Sequence, residues 1–440
     1  MSVELISIIG IIAALVLLAT LVMRGWNLFV VAILASTVVA ITGKIDLYTA
    51  LTGDYMTGWA NFAKSNFLVF VAGALMGKVY DVTGAAKSIA RLITSKISAK
   101  SAAVSIMLAV GVLTYGGISG YVVAFAVYPI ALEVFRSADL PRRYIPAAII
   151  FGSCTFSAVL PGNPQIGNVV LVKALGTTLT AGWVVGLVCG ILFIIFGSLW
   201  LQKITTKAKS RGEHFELRAS DVFEDETKEL PSPIRALIPL AVTLIAINIK
   251  VDGQQIIKTE FGLTLGVFLA YLMMSKYHTN GETRMQLATD GIKNAIFATT
   301  TAAGIVGFGS VVKSAAGFSA IVDSISLIPG PDTVALAVAT NVVVGVCGTA
   351  SGGMAIAAPI LMPIFTAGGM SLEVFHRIML VSSTALDTLP HCGFVCLIAN
   401  GVCGESHKEA YPTVFKLSVI LPTFVTIVAI VLYAIFPNLP

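Results

Sequence analysis

Four stretches of this chain interrupt their apolar surroundings, and they come in two matched pairs. TYGGISGY at 114–121 has a counterpart in VCGTASGG at 346–353, and SAVLPGNPQIG at 157–167 is matched by ALDTLPHCGF at 385–394. Ser119 and Ser351 stand 232 residues apart and Pro161 and Pro390 229 apart, so both pairs keep nearly one register. TGAAKSIARLI (83–93) also echoes SAAGFSAIVDSI (314–325), which carries the likeness beyond the glycine-rich spots. The pattern is that of two related halves, each with apolar helices broken at two equivalent points. Such breaks are the best sequence pointer to the substrate site of a membrane carrier.

Composition decides what solvates these helices. Hydrophobic residues make up 56% of the 440-residue chain and charged residues 12%, with a mean hydropathy of +0.90. A soluble domain carries about a quarter charged residues, so most of this chain is expected to face lipid or itself. Apolar runs able to cross roughly 30 Å of hydrocarbon are read at about 5–23, 27–43, 66–81, 144–176, 181–202, 234–250, 261–277, 292–311, 376–404 and 413–436. The first has no cationic segment before it and no small-residue cleavage site after it, and reads as a retained helix. Two more regions, 101–136 and 333–366, have glycine-rich centres that leave each flanking piece short for a full span. They read as re-entrant helical hairpins, which need protein or water over their exposed backbone. The semi-polar stretch 44–65, with Tyr48, Tyr55 and Trp59, suits a helix lying at the outer interface.

Lys and Arg set the orientation. The cation-rich segments 87–100, 136–143 and 203–235 belong inside. The N-terminus is then outside, hairpin 101–136 opens to the cytoplasm and hairpin 333–366 opens outward. Each half holds five spans and one hairpin, and an odd span count inverts the second half relative to the first. The expected fold is therefore an all-α polytopic membrane protein of two inverted repeats, 1–202 and 234–440, with broken helices at 144–176 and 376–404. Residues 203–233 link them on the cytoplasmic side; their mixed charge without apolar periodicity reads as a solvated loop.

At the first break, Pro161 and Gly162 end one half-helix, Asn163 suits an N-cap, and Pro164 suits the first position of the next. A helix start in the membrane offers free amides and the positive end of a dipole, which favours an anion. The tip Gly116-Gly117-Ile118-Ser119-Gly120 adds flexible backbone and a hydroxyl cap; Gly348, Thr349, Ser351 and Gly352 supply the same from the other half. No Arg is expected deep in a span, so a carboxylate would be held by amides and hydroxyls. The competing reading is that these glycines only let helices pack closely.

Asp387 and His391 stand four apart at the second break, alongside Thr388. Ionisable residues within a span are costly and usually functional, and a histidine titrates near physiological pH. Both are candidates for proton coupling; alternatively Asp387 caps a half-helix and His391 is a satisfied hydrogen-bonding group. Asn168 and Asn341 read as interhelical hydrogen-bonders. The six cysteines, Cys392, Cys396 and Cys403 among them, fit no zinc spacing, so neither metal nor cofactor is expected.

At VAGALMGKVYDVTGAAKSIA (71–90), TYGGISGYVVAFAVYPI (114–130) and DTLPHCGFVCLIANGVCGESHKEAY (387–411), the chain resembles the gluconate permease family (GntP type), within the ion-transporter superfamily of elevator carriers. The resemblance implies proton symport of a sugar acid such as gluconate, or a short hydroxy acid such as 3-hydroxybutyrate. It implies a site lined by Gly116, Gly117, Ser119, Gly120, Gly162, Asn163, Gly348, Thr349, Ser351, Gly352 and Thr388, an inner-membrane location, and a homodimer contact through the scaffold. This chain has DTLPHCGF where such relatives carry an acidic break, with His391 near that position. The Ser-Asn-Thr tips of sodium-coupled relatives are absent, so protons are expected before sodium.

Two other readings make different demands. A sodium/proton antiporter of the same architecture needs a cluster of buried carboxylates, and Asp387 stands nearly alone. An intramembrane serine protease would use Gly117-Ile118-Ser119-Gly120 as a GxSG motif, but has no use for a second copy at 348–353. A carrier, not an enzyme and not a nucleic-acid binder, is the expectation.

Overall fold

The structure is a computed structural model that describes residues 2–24, 26–96, 101–218, 229–251, 254–277, 284–325, 328–390 and 392–440. Helices dominate it, and a two-residue antiparallel ribbon pairs Lys250–Val251 with Gln254–Gln255. The chain begins with α1 (Val3–Met23), α2 (Leu28–Thr42), α3 (Met56–Val82) and α4 (Ala85–Lys96). A helical hairpin follows, α5 (Ala102–Tyr115) and α6 (Gly120–Ser137), then an interrupted helix, α7 (Ile145–Cys154), α8 (Phe156–Val159) and α9 (Ile166–Leu175), then α10 (Trp183–Ser210). The second half repeats this order with α11 (Pro233–Asn248), α12 (Thr259–Met274), α13 (Arg284–Ser314) and α14 (Ala316–Ile325). Its hairpin is α15 (Asp332–Cys347) and α16 (Ala350–Ala367). Its interrupted helix is α17 (Leu372–Leu386) and α18 (Gly393–Cys396), which continues as π-helical turns over Leu397–Val402. Last come α19 (His407–Phe415), further π turns and α20 (Leu421–Ile435).

Among the described residues, five stretches are long and apolar enough to cross a membrane unaided: Thr49–Val82, Trp183–Ser210, Met285–Ser314, Ala350–Ala367 and His407–Ile435.

Packing follows the same doubling. α1 lies on α2 as α11 lies on α12; α2 meets α13 as α12 meets α3; α5 meets α7 as α15 meets α17. α4 reaches across to α11 and α14 across to α1, while α3 and α13 pack along one another. One group of helices, α1 to α3 with α11 to α13, is thus built on the α3–α13 pair. Hairpins, broken helices, α10 and α20 form the other. Where α9 meets the first group, a small apolar cluster of Val69, Ala72, Val169, Leu179, Ile247 and Leu263 stands apart from the main core.

Two expectations are overturned. The stretch 44–65 is not a separate interfacial helix: π-helical turns over Thr49–Tyr55 run without a breaker into α3. Ala50 and Tyr55 are buried, and the Tyr55 ring meets Phe29 edge-on at 6.3 Å, so apolar partners on α2 and α13 draw the segment inward. Nor is the linker wholly solvated. Residues 203–210 continue α10, and the following turn docks on the loop after α6. There His214 Nδ1 lies 2.7 Å from Asp139 Oδ2, and the Phe215 amide donates to Asp139 Oδ1 at 3.1 Å. The His214 bond, then the Phe215 amide, hold the Asp139 carboxyl below the usual carboxylate range. The buried Glu405 accepts from Arg142 Nε at 3.0 Å and pairs with Arg218 Nη2 at 3.0 Å, so one carboxylate ties the linker to both halves. Residues 219–228 of the linker lie outside the described residues.

Candidate functional site

The first break is built from backbone that cannot continue a helix. Leu160 is extended, Gly162 has φ +81°, and Gln165 rather than Asn163 is the N-cap of α9. The helix starts two positions later than Asn163 and Pro164 suggest because the Asn163 side chain serves both sides of the break. Its Nδ2 donates to Ala158 O at 2.9 Å and its Oδ1 accepts from the Gln165 amide at 3.1 Å. Gly162 is committed as well: its amide donates to Leu179 O at 2.9 Å, and its carbonyl accepts from Asn248 Nδ2 at 3.0 Å. Gly162 and Asn163 therefore hold the break open through their own polar atoms.

At the second break Thr388 is equally committed, donating to Ser418 O at 2.8 Å while almost fully buried. Asp387 is different. It is the C-cap of α17, 8% exposed, and its Oδ1 is buried with no hydrogen-bond partner among the described residues. It sits in electrostatic reach of the Cys154 and Cys392 thiols, between the end of α7 and the start of α18. His391, the other coupling candidate, lies outside the described residues.

Each hairpin tip reaches the broken helix of the opposite half. A Cβ placed on Gly120 would lie 3.2 Å from Phe394 Cζ and 3.3 Å from Ser153 Cβ, so the starts of α6 and α18 converge beside the end of α7. A Cβ on Gly167 would lie 2.9 Å from Met354 Cε, which brings the starts of α9 and α16 together. The four helix starts thus gather as two cross-half pairs. Gly117, at φ +97°, makes the tip possible, since a side chain there would also press Leu263 and Pro164. Gly116 closes α5 and Gly348, at φ +62°, closes α15. Ser119 and Thr349 occupy the N-cap positions of α6 and α16 without making a side-chain capping bond, contrary to the hydroxyl cap expected. Thr349 Oγ1 instead lies 3.3 Å from Ser351 Oγ, and Gly352 packs beneath them.

Residues 11–439 match the family described as Tripartite ATP-independent periplasmic transporter, DctM component. The chain belongs to the DctM family. Like its relatives, this DctM-family chain is a multi-pass membrane transporter, not an enzyme, which removes the protease reading of Ser119. It is 30% identical to "Uncharacterized transporter YxjC" of Bacillus subtilis (strain 168), over 94% of this chain and 96% of that one. It is 23% identical to the "High-affinity gluconate transporter" of Escherichia coli (strain K12), over 69% of this chain and 68% of that one. The family shown is thus DctM and not the gluconate permeases specifically. Among solved structures, the Alcanivorax borkumensis YdaH transporter aligns with TM-score 0.57 at 15% identity, covering 90% of each chain. Neisseria gonorrhoeae MtrF aligns with TM-score 0.54 at 14% identity, over 88% of this chain and 84% of that one, and both share the helical fold.

The DctM-family chain also carries a polar pair that the sequence reading passed over. His376 and Arg377, one turn inside α17, are both fully buried. Asn168 Nδ2 donates to Asn163 O and Leu179 O, which leaves Oδ1 to accept from His376 Nε2 at 2.8 Å. His376 Nδ1 then accepts from the Thr177 hydroxyl at 2.7 Å. Arg377 donates to Val159 O and Ala181 O. Asn168 is the interhelical bonder it was expected to be, whereas the Asn341 amide nitrogen bonds within its own helix. The available signal was two adjacent polar residues one turn inside an apolar helix, which also fits side chains reaching for the membrane surface.

Proposed function

We propose that the chain is a secondary carrier that imports a small organic carboxylate with protons across the cell inner membrane. The observation that carries this reading is Asp387 Oδ1, buried without a partner among the described residues where the starts of α6 and α18 converge. A lone carboxylate buried at the C-terminal end of α17 faces the negative end of that helix dipole. A proton or cation offsets that cost, so Asp387, with His391, is assigned the coupling role. The helix starts of α6, α9 and α16, with the hydroxyls of Ser119, Thr349 and Ser351, suit a carboxylate substrate. Gly162, Asn163 and Thr388 support the site from behind.

The doubled order and packing of helices favour two repeats, 1–202 and 234–440, and the odd number of spans in each favours their inversion. The group of hairpins and broken helices moves against the α3–α13 group, exposing the site alternately, and the latter group supplies the homodimer contact. Likeness to the gluconate transporter over two thirds of each chain favours a sugar acid or short hydroxy acid as substrate. The test is uptake of labelled gluconate, 3-hydroxybutyrate, lactate and glycerate into proteoliposomes under an inward proton gradient, an inward sodium gradient or neither. Proton-driven uptake of one acid is expected. Stimulation by sodium alone would overturn proton coupling, and ion exchange without uptake of any acid would overturn carboxylate transport.

A further inference from the structure

We propose that the groove between α10 and α20 binds an anionic phospholipid. The groove has a volume of about 680 Å³ and is walled by Phe196, Leu199, Ile420 and Phe424, all exposed. The Phe196 and Phe424 rings meet edge-on at 6.1 Å across it, so its walls come from both helices. These side chains suit acyl chains. Lys203 and Lys207, one turn apart on α10, line the groove together with Lys416 from the turn before α20. No Asp or Glu lines it, and none of the three lysines has an ion-pair partner among the described residues.

Charge complementarity selects the occupant. Three ammonium groups beside an apolar slot match a phosphate carried on two hydrocarbon chains, and basic pockets between transmembrane helices hold anionic headgroups in this way. The lysines stand at the end of α10 that leads into the cation-rich segment, the cytoplasmic end by the positive-inside rule. Trp200 lines the groove near that end, the depth at which indole rings settle between headgroup and hydrocarbon. A second copy of the chain, docked symmetrically on this face, would bring the same three lysines against their own images, and like charges across an interface oppose association.

The experiment uses the full-length purified chain, equilibrated with equal amounts of phosphatidylglycerol and phosphatidylcholine and examined by native mass spectrometry. A parallel sample reports quenching of Trp200 by brominated forms of each lipid, with Trp200→Phe as the blank. The parent chain is expected to retain at least threefold more phosphatidylglycerol, and K203Q/K207Q/K416Q to lose that preference. Should the triple variant fail to fold, Lys416→Glu alone is expected to halve the preference. Equal retention of the two lipids, or a preference unchanged in the variants, would overturn the proposal. So would a dimer in which neither brominated lipid quenches Trp200.

Discussion

Arg377 on α17 donates from Nη1 to the carbonyl of Val159, 2.6 Å away, the last residue of the four-residue helix α8. The end of a half-helix leaves carbonyls without partners, and here a guanidinium from the other half of the chain satisfies one. The same fork donates to Ala181 O through Nε at 2.9 Å. Gly186 gives it room, for a Cβ there would lie 2.6 Å from Nη1. Arg377→Met is predicted to orphan both carbonyls at about 1–3 kcal/mol each, lowering the melting temperature of the purified protein by several degrees. Arg377→Lys should recover only part, since an ammonium cannot reproduce the fork. A melting temperature within a degree of the parent for Arg377→Met would show that the clamp contributes little.

His376 is predicted to position and not to carry protons. Its Nε2 donates to Asn168 and its Nδ1 accepts from Thr177, so the neutral ring already satisfies both neighbours. His376→Gln keeps a donor toward Asn168 and should retain most uptake with an unaltered pH profile. His376→Phe should cost at least fivefold in uptake. A shifted pH profile in the Gln variant would move the coupling group from the second break to this buried pair.

The breaks were legible because Gly, Pro and Asn interrupt apolar runs for reasons local to the backbone, as at Gly117 and Gly162 with their positive φ. Which of those residues keep a free polar atom was not legible. Asn163 and Thr388 spend theirs on Ala158 O and Ser418 O, and a backbone carbonyl leaves no mark in a sequence. Arg377 escaped for the same reason, since its acceptors at Val159 and Ala181 belong to residues with apolar names. The linker looked solvated because its charges were weighed alone, whereas Glu405, far along the chain, neutralises Arg218 and Arg142 together.

Asp387 yields the sharpest test of coupling. Asparagine has the shape of the protonated acid but cannot exchange a proton. Asp387→Asn is predicted to lower proton-driven accumulation at least tenfold while leaving substrate exchange between preloaded vesicles and medium within twofold. Accumulation equal to the parent would assign coupling elsewhere, and His391→Gln run alongside would show whether residue 391 takes that part.

Movement of the broken helices against the α3–α13 group requires the contacts between them to part. At the far end of α9, Lys173 Nζ pairs with Glu260 of α12 at 2.5 Å and also donates to Ser65 O of α3. Just beyond lies the small apolar cluster joining Val169 to Val69, Ile247 and Leu263. An exposed ion pair over so small a cluster contributes little to holding the two groups together, which suits a seam that opens on every cycle. Lys173→Cys with Glu260→Cys, in a background lacking the six native cysteines, places a removable tether across the seam. Oxidation is predicted to stop uptake at least tenfold, reduction to restore it, and substrate binding to survive in both states. Uptake that continues at the parent rate with the tether closed would mean that α9 does not leave α12 during transport.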